Sequence, residues 1–158
     1  MFDKLLAGKC FNAILMILVS FFIYSCSGPK TITEEDLLIE QKRTPCYGSC
    51  KVYTLRIDKN GKGLFEGIEN VDNIGRFSFS LKQDELVEIE NAFLQVDFYQ
   101  LKNIYDAQVS DLPTTYITYN KDGRRKKIMD YYGSPEELRT LENRIETLVL
   151  AKRMRKIK

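Results

Sequence analysis

Twice this chain lays down a strand, a glycine turn, a returning strand and an amphipathic helix, and no other feature constrains its fold as much. In "KVYTLRI" (residues 51–57), Tyr53, Leu55 and Ile57 alternate with Thr54 and Arg56, the period-two pattern of a half-buried strand. "DKNGKG" is a turn in which Asn60-Gly61 can take positive φ, and "LFEGIE" returns antiparallel. "GRFSFSL" adds a third strand with Phe77 and Phe79 on one side. In "QDELVEIENAFLQV", Leu86, Ile89, Phe93 and Val96 recur at spacings of three, four and three, an apolar helical stripe. The second block is "TTYITY", "NKDGR" and "KKIMDYY", then "GSPEELRTLENRIETLVL". This last segment starts as a helix should, with Ser134 at the N-cap, Pro135 at N1 and Glu137 at the capping-box position. Leu138, Leu141, Ile145 and Leu148 carry its stripe.

The expected architecture is therefore β-β-β-α-β-β-α. Its simplest packing is an α+β fold, an antiparallel sheet of about five strands with both helices on one face. "DKNGK" at 58–62 matches "NKDGR" at 120–124, and "ELVEIENAF" at 85–93 matches "ELRTLENRI" at 137–145. These matches suit an internal duplication, and equally the narrow choice of residues in turns and on helix surfaces. Residues 42–153 make one domain, enough for a single core. Residues 26–41, opening "CSGPKTITEEDL", lack sustained periodicity and read as a tether; 154–158 read as a basic tail.

The N-terminus is built for export. Lys4 and Lys9 precede "FNAILMILVSFFIYS" (11–25), an uncharged run of the length of a signal-peptide core and short of the ~20 apolar residues that span a bilayer. It ends in "IYSC", which resembles the bacterial lipobox, with the bulky Tyr24 as a departure. Residues 1–25 then read as a lipoprotein signal peptide and Cys26 as the lipid attachment site; the alternative is an uncleaved signal anchor. Each buried methylene anchors with ~0.8 kcal/mol, so two or more chains hold stably. Ser27, where an inner-membrane retention signal would carry Asp, points to the outer membrane. Either periplasmic or surface orientation suits the short acidic run Glu34-Glu35-Asp36.

Charge and composition exclude several function classes. Removing residues 1–25 takes away Lys4, Lys9 and Asp3, so 24 basic and 22 acidic side chains fall to 22 and 21. Near-neutrality argues against a nucleic-acid partner. The tail "KRMRKIK" is the basic exception, and suits a helix C-terminus at about 0.3–1 kcal/mol per cation, with contact to anionic lipid headgroups as the alternative. The chain has no histidine, which removes Ser-His-Asp and Cys-His nucleophiles and the usual zinc sites. No catalytic constellation, metal site or cofactor motif is recognisable.

Outside the cytoplasm a thiol pair is expected oxidised. With Cys10 in the signal peptide and Cys26 lipidated, Cys46 and Cys50 have only each other. A metal would need further soft ligands that the chain lacks. A thioredoxin-type redox couple would want two intervening residues at a helix N-terminus, whereas here three intervene and a strand follows. The pair reads as a structural staple, contributing about 2 kcal/mol by closing so short a loop.

"RTPCYGSCKVYTLRI", "FEG", "GRFSFSL" and "YDAQVSDLPTTYITY" resemble an uncharacterised bacterial domain of unknown function found in secreted proteins and lipoproteins, with a signature near R-x-P-C-x-G-x-C-P-x-Y. Lys51 stands where that pattern has Pro. The resemblance implies export and a shared fold, and brings no activity with it.

One loop, "NIYDAQVSDLPTTY" (103–116), offers a candidate binding site of Tyr105, Asp106 and Asp111 for a peptide, a glycan or a calcium ion, although its spacing is not that of an EF-hand. Asp111 before Leu-Pro is also an ordinary turn initiator. Two function classes follow. The first is a non-catalytic, lipid-anchored envelope module whose partners are the membrane and an envelope protein or peptide. The second is a thiol-dependent redox enzyme or sensor using Cys46 and Cys50. Carboxylate hydrolysis by Asp106, Asp111 and Asp130 is a third and remoter class.

Overall fold

The computed structural model describes residues 31–107 and 111–157. The strands are β1 (Leu37–Arg43), β2 (Val52–Asp58), β3 (Lys62–Glu69), β4 (Gly75–Ser80), β5 (Ile104–Tyr105), β6 (Thr115–Lys121), β7 (Arg124–Asp130) and β8 (Arg155–Lys156). The helices are α1 (Gln83–Gln95) and α2 (Glu136–Leu150), with a 3-10 turn at Phe98–Gln100. All eight strands join one sheet in the order β5-β7-β6-β1-β2-β3-β4-β8. Neighbours are antiparallel except β5 and β7, which run parallel.

This corrects the expected antiparallel α+β sheet of about five strands: the fold is mostly sheet, mixed, and eight strands wide. The largest error is β1. Leu37, Leu38 and Ile39 are all buried, so this strand is apolar on both faces at its start and shows no alternation to read. It sits mid-sheet between β2 and β6, although the sequence placed it at the end of the tether. β5 and β8 are two residues each, too short for any periodic signal. The "basic tail" thus contributes a strand, with Phe77 opposite Lys156 and Ser78 opposite Arg155.

The two hairpins behind the duplication idea turn differently. Asp58 Oδ1 accepts the Asn60 and Lys62 N–H groups at 2.8 Å, and only Gly61 (φ 78°) enters the left-handed region there. In the second hairpin Asp122 (φ 53°) and Gly123 (φ 74°) both do, the two-residue turn that matches strand twist.

The core lies between the sheet and the helices. Tyr53, Leu55 and Ile57 of β2 and Ile117 and Tyr119 of β6 pack with Leu86, Ile89 and Phe93 of α1 and Leu138, Leu141 and Ile145 of α2. Phe93 stacks on Tyr119 with ring centroids 4.0 Å apart, and Phe98 stands edge-on to both. On α2 the buried stripe ends at Val149 instead of Leu148, and it carries Glu142 and Glu146. The helix cap also differs from expectation. Pro135 is the N-cap residue, and the Ser134 hydroxyl donates to Asp130 Oδ2 at 2.7 Å, satisfying a buried carboxylate at the end of β7.

On the opposite sheet face, residues 31–36 of the supposed tether are docked. Arg56 donates to the Ile32 carbonyl at 3.1 Å, and Glu34 pairs with both Arg56 and Arg125.

Gly67 in β3 has no room for a side chain: a Cβ there would sit 1.9 Å from the Asn73 carbonyl oxygen. Gly67→Ala should lower stability by about 2–3 kcal/mol, at the upper end for overpacking. Denaturant unfolding checks this, and a loss below about 0.5 kcal/mol would mean that the 70–74 loop moves aside freely.

Candidate functional site

Of the loop residues singled out by sequence, Tyr105 is half-buried and Asp106 and Asp111 are exposed. Tyr105 is part of β5 and packs against the core edge, its hydroxyl accepting the Lys102 N–H at 3.1 Å. Its carbonyl takes the Tyr131 and Tyr132 N–H groups. Asp106 and Asp111 are exposed, and Asp111 has φ 73°, the turn geometry an Asp tolerates. Asp130 stands opposite Tyr105 in the β5–β7 pairing, and its carboxylate accepts from the Ser134 hydroxyl. No three carboxylates or thiols converge on a metal-sized space among the described residues. Cys26 lies outside the described residues.

Cys46 and Cys50 are disulfide-bonded, with Cα atoms 5.8 Å apart. The loop they close projects Tyr47, 90 % exposed, and leads straight into β2. Both of its ends are fastened. Thr44 N–H donates to the Thr114 carbonyl (3.0 Å), Thr114 N–H donates back to Thr44 Oγ1 (2.9 Å), and Asn70 Nδ2 donates to the Cys50 carbonyl (2.9 Å).

The residues flanking this loop converge on α2. Glu146 Oε2 accepts from Arg43 Nη1 (2.9 Å) and the Tyr53 hydroxyl (2.7 Å), while Oε1 accepts from Lys51 Nζ (2.5 Å). Tyr53 in turn accepts from Gln41 Nε2 (2.9 Å), which also donates to the Glu142 carbonyl (3.2 Å). Burial pushes the Glu146 carboxyl up, but the bonds from Lys51, Tyr53 and Arg43 outweigh it and hold the group below the usual carboxylate range. Burial and the Glu146 charge together raise the Tyr53 phenol far above its ordinary value, so it remains a donor at any working pH.

One turn back along α2, Glu142 has the opposite fate. It is 7 % exposed, no cation bonds it, and its Oε1 has no hydrogen-bond partner. Burial and the nearby Asp130 charge push its carboxyl up to about 8, against the pull of Arg43, Thr115 and Arg139. It lines a cleft of about 580 Å³ at the end of the sheet, floored by Arg43 and Thr115 and walled by Leu112, Pro113, Tyr131 and Tyr132. Arg139 and Asn143 of α2 close the other side.

Sequence reasoning missed Glu142, Glu146, Gln41 and Arg43. A helical signal existed: Glu142 and Glu146 stand four apart and share the stripe of Leu138 and Ile145, so both had to be buried and answered by polar groups.

A family model described as a domain of unknown function, DUF6438, matches residues 37–149. The chain belongs to that family. No curated protein matches it. The DUF6438 span begins at the first residue of β1 and ends in the last turn of α2, so it takes in both halves of the Glu146 network. The matched span takes in β1, a central strand of the sheet.

Proposed function

We propose that this chain is a lipid-anchored, non-catalytic binding module of the bacterial envelope, attached through Cys26 at the outer membrane and engaging an envelope protein or peptide. The observation that carries the reading is the cleft beside α2. Two of its sides, Arg43 on β1 and Arg139, Glu142 and Asn143 on α2, are tied together by the Glu146–Arg43 bond, the setting in which a recognition surface keeps its shape. The lipobox-like "IYSC" and the resemblance to domains of secreted proteins support the location. The disulfide supports the non-catalytic part: it opens a strand, away from any helix N-terminus that would lower a thiol pKa. Membrane, envelope partner and loop thus have separate roles, with Cys46 and Cys50 as fastener.

A photo-crosslinking amino acid at Tyr132, 51 % exposed at the cleft mouth, should trap a discrete envelope adduct in cells making the full chain. The same probe at Asp72, in the β3–β4 loop, should not. Equal patterns at the two positions, or none at either, would overturn the reading.

A further inference from the structure

The cleft holds two buried polar atoms without partners, Glu142 Oε1 and Arg43 Nε. Leaving such a group unmet costs about 1–3 kcal/mol, and both belong to side chains that line the cleft. The charges around them select the sign of that ligand. Arg43 and Lys51 share one carboxylate, Glu146. Arg139 spends its Nη1 on the Ser134 carbonyl and hydroxyl, and Asp130 supplies the other negative charge lining the cleft. With Glu142 neutral, one positive charge is left over.

We propose that the cleft takes a carboxylate joined to an apolar group, the carboxylate accepting from the Arg43 and Arg139 guanidiniums while the apolar part lies against Leu112, Pro113 and Tyr132. This rests on the binding-module reading and names its ligand class. Glu142 strengthens the case. Its carboxyl, pushed up to about 8, keeps a proton at neutral pH and can donate to the bound carboxylate where an ionised group would repel it. The polar and titratable groups lining the cleft with it from β1, β6, β7, the β7–α2 connection and α2 are Arg43, Thr115, Asp130, Tyr131, Tyr132, Ser134, Arg139 and Asn143. Affinity should therefore be level below about pH 7 and fall as Glu142 ionises near pH 8. A chain terminus and a free organic acid present the same carboxylate.

The test follows the Leu112 and Thr115 methyl resonances of the full chain in detergent micelles during titration. The probes are N-acetylleucine (anion), N-acetylleucinamide (neutral), leucinamide (cation) and 4-methylpentanoate (the same carboxylate and isobutyl group without the amide). The two carboxylates should bind at least tenfold more tightly than the amide and the cation, and more weakly at pH 9 than at pH 7. Tighter binding of N-acetylleucine than of 4-methylpentanoate identifies a chain end; equal binding identifies a free acid. Glu142→Gln should abolish the fall in affinity between pH 7 and pH 9, and Arg139→Gln should weaken only the carboxylates. Preference for leucinamide, parity with N-acetylleucinamide, or silence at both methyls for every probe would overturn the ligand class. The module reading fails separately, through the Tyr132 crosslink.

Discussion

Glu146→Ala should lower the unfolding free energy by about 3–5 kcal/mol, the range for removing one partner of a buried ion pair. Three donors would lose their acceptor at once: the Arg43 guanidinium, the Lys51 ammonium and the Tyr53 hydroxyl. Lys51 is partly exposed and can return to water, so its share of the loss is small. Tyr53 is fully buried and stacks on Phe65, so its hydroxyl cannot follow. The damage should spread along β1, because Arg43 and Gln41 both reach α2 from that strand. Chemical denaturation at pH 7 measures the loss, and hydrogen exchange should show β1 amides opening with α2. A decrease under about 1 kcal/mol would mean that hydrophobic packing alone seats α2 on the sheet. Glu146→Gln should fall in between, since an amide oxygen still accepts from Tyr53.

Glu142→Gln should remove most of the pH dependence of stability between about pH 4.5 and 8. The folded-state carboxyl sits near 8, well above its ordinary value of 4.5. Folded protein therefore holds a proton that unfolded chain has already released. Stability from this group is complete below about pH 4.5, declines at up to about 1.4 kcal/mol per pH unit, and levels off above pH 8. Glu146 acts in a different window: its lowered value makes it stabilising above the ordinary carboxylate range, and that contribution is lost only in acid. At pH 9 the Gln variant should exceed the parent by roughly 4 kcal/mol, and at pH 4.5 the two should nearly coincide. Thermal or denaturant unfolding across this range decides it. Parallel curves for the two proteins would show that Glu142 is ionised and solvated in the native state.

Much of the secondary structure was legible because its signals are local. Alternation in residues 52–58, the Gly61 and Gly123 turns and the apolar stripe of α1 all act within a few residues. The sheet's true width was not legible. β1 reads as an unpatterned apolar run because both of its faces are covered, and β5 and β8 exist only through partners far along the chain. The candidate site was hidden for a related reason. Exposed acids in a loop, Asp106 and Asp111, attracted attention, while the carboxyls that matter sit on a helix face that looked like core. Their partners, Gln41 and Arg43, lay in the misread tether or at its border. The cysteine pair was legible, since once Cys10 and Cys26 are set aside only one pairing remains, and the disulfide is present.

The measurement that bears most directly on a module fastened by its disulfide is the reduction potential of Cys46–Cys50, read by alkylation and mass across a dithiothreitol series. The account predicts a value below about −300 mV, that of a structural disulfide resistant to the thiol pool. A value between about −120 and −200 mV, with one thiol ionising well below its ordinary range, would contradict it and make this a redox protein.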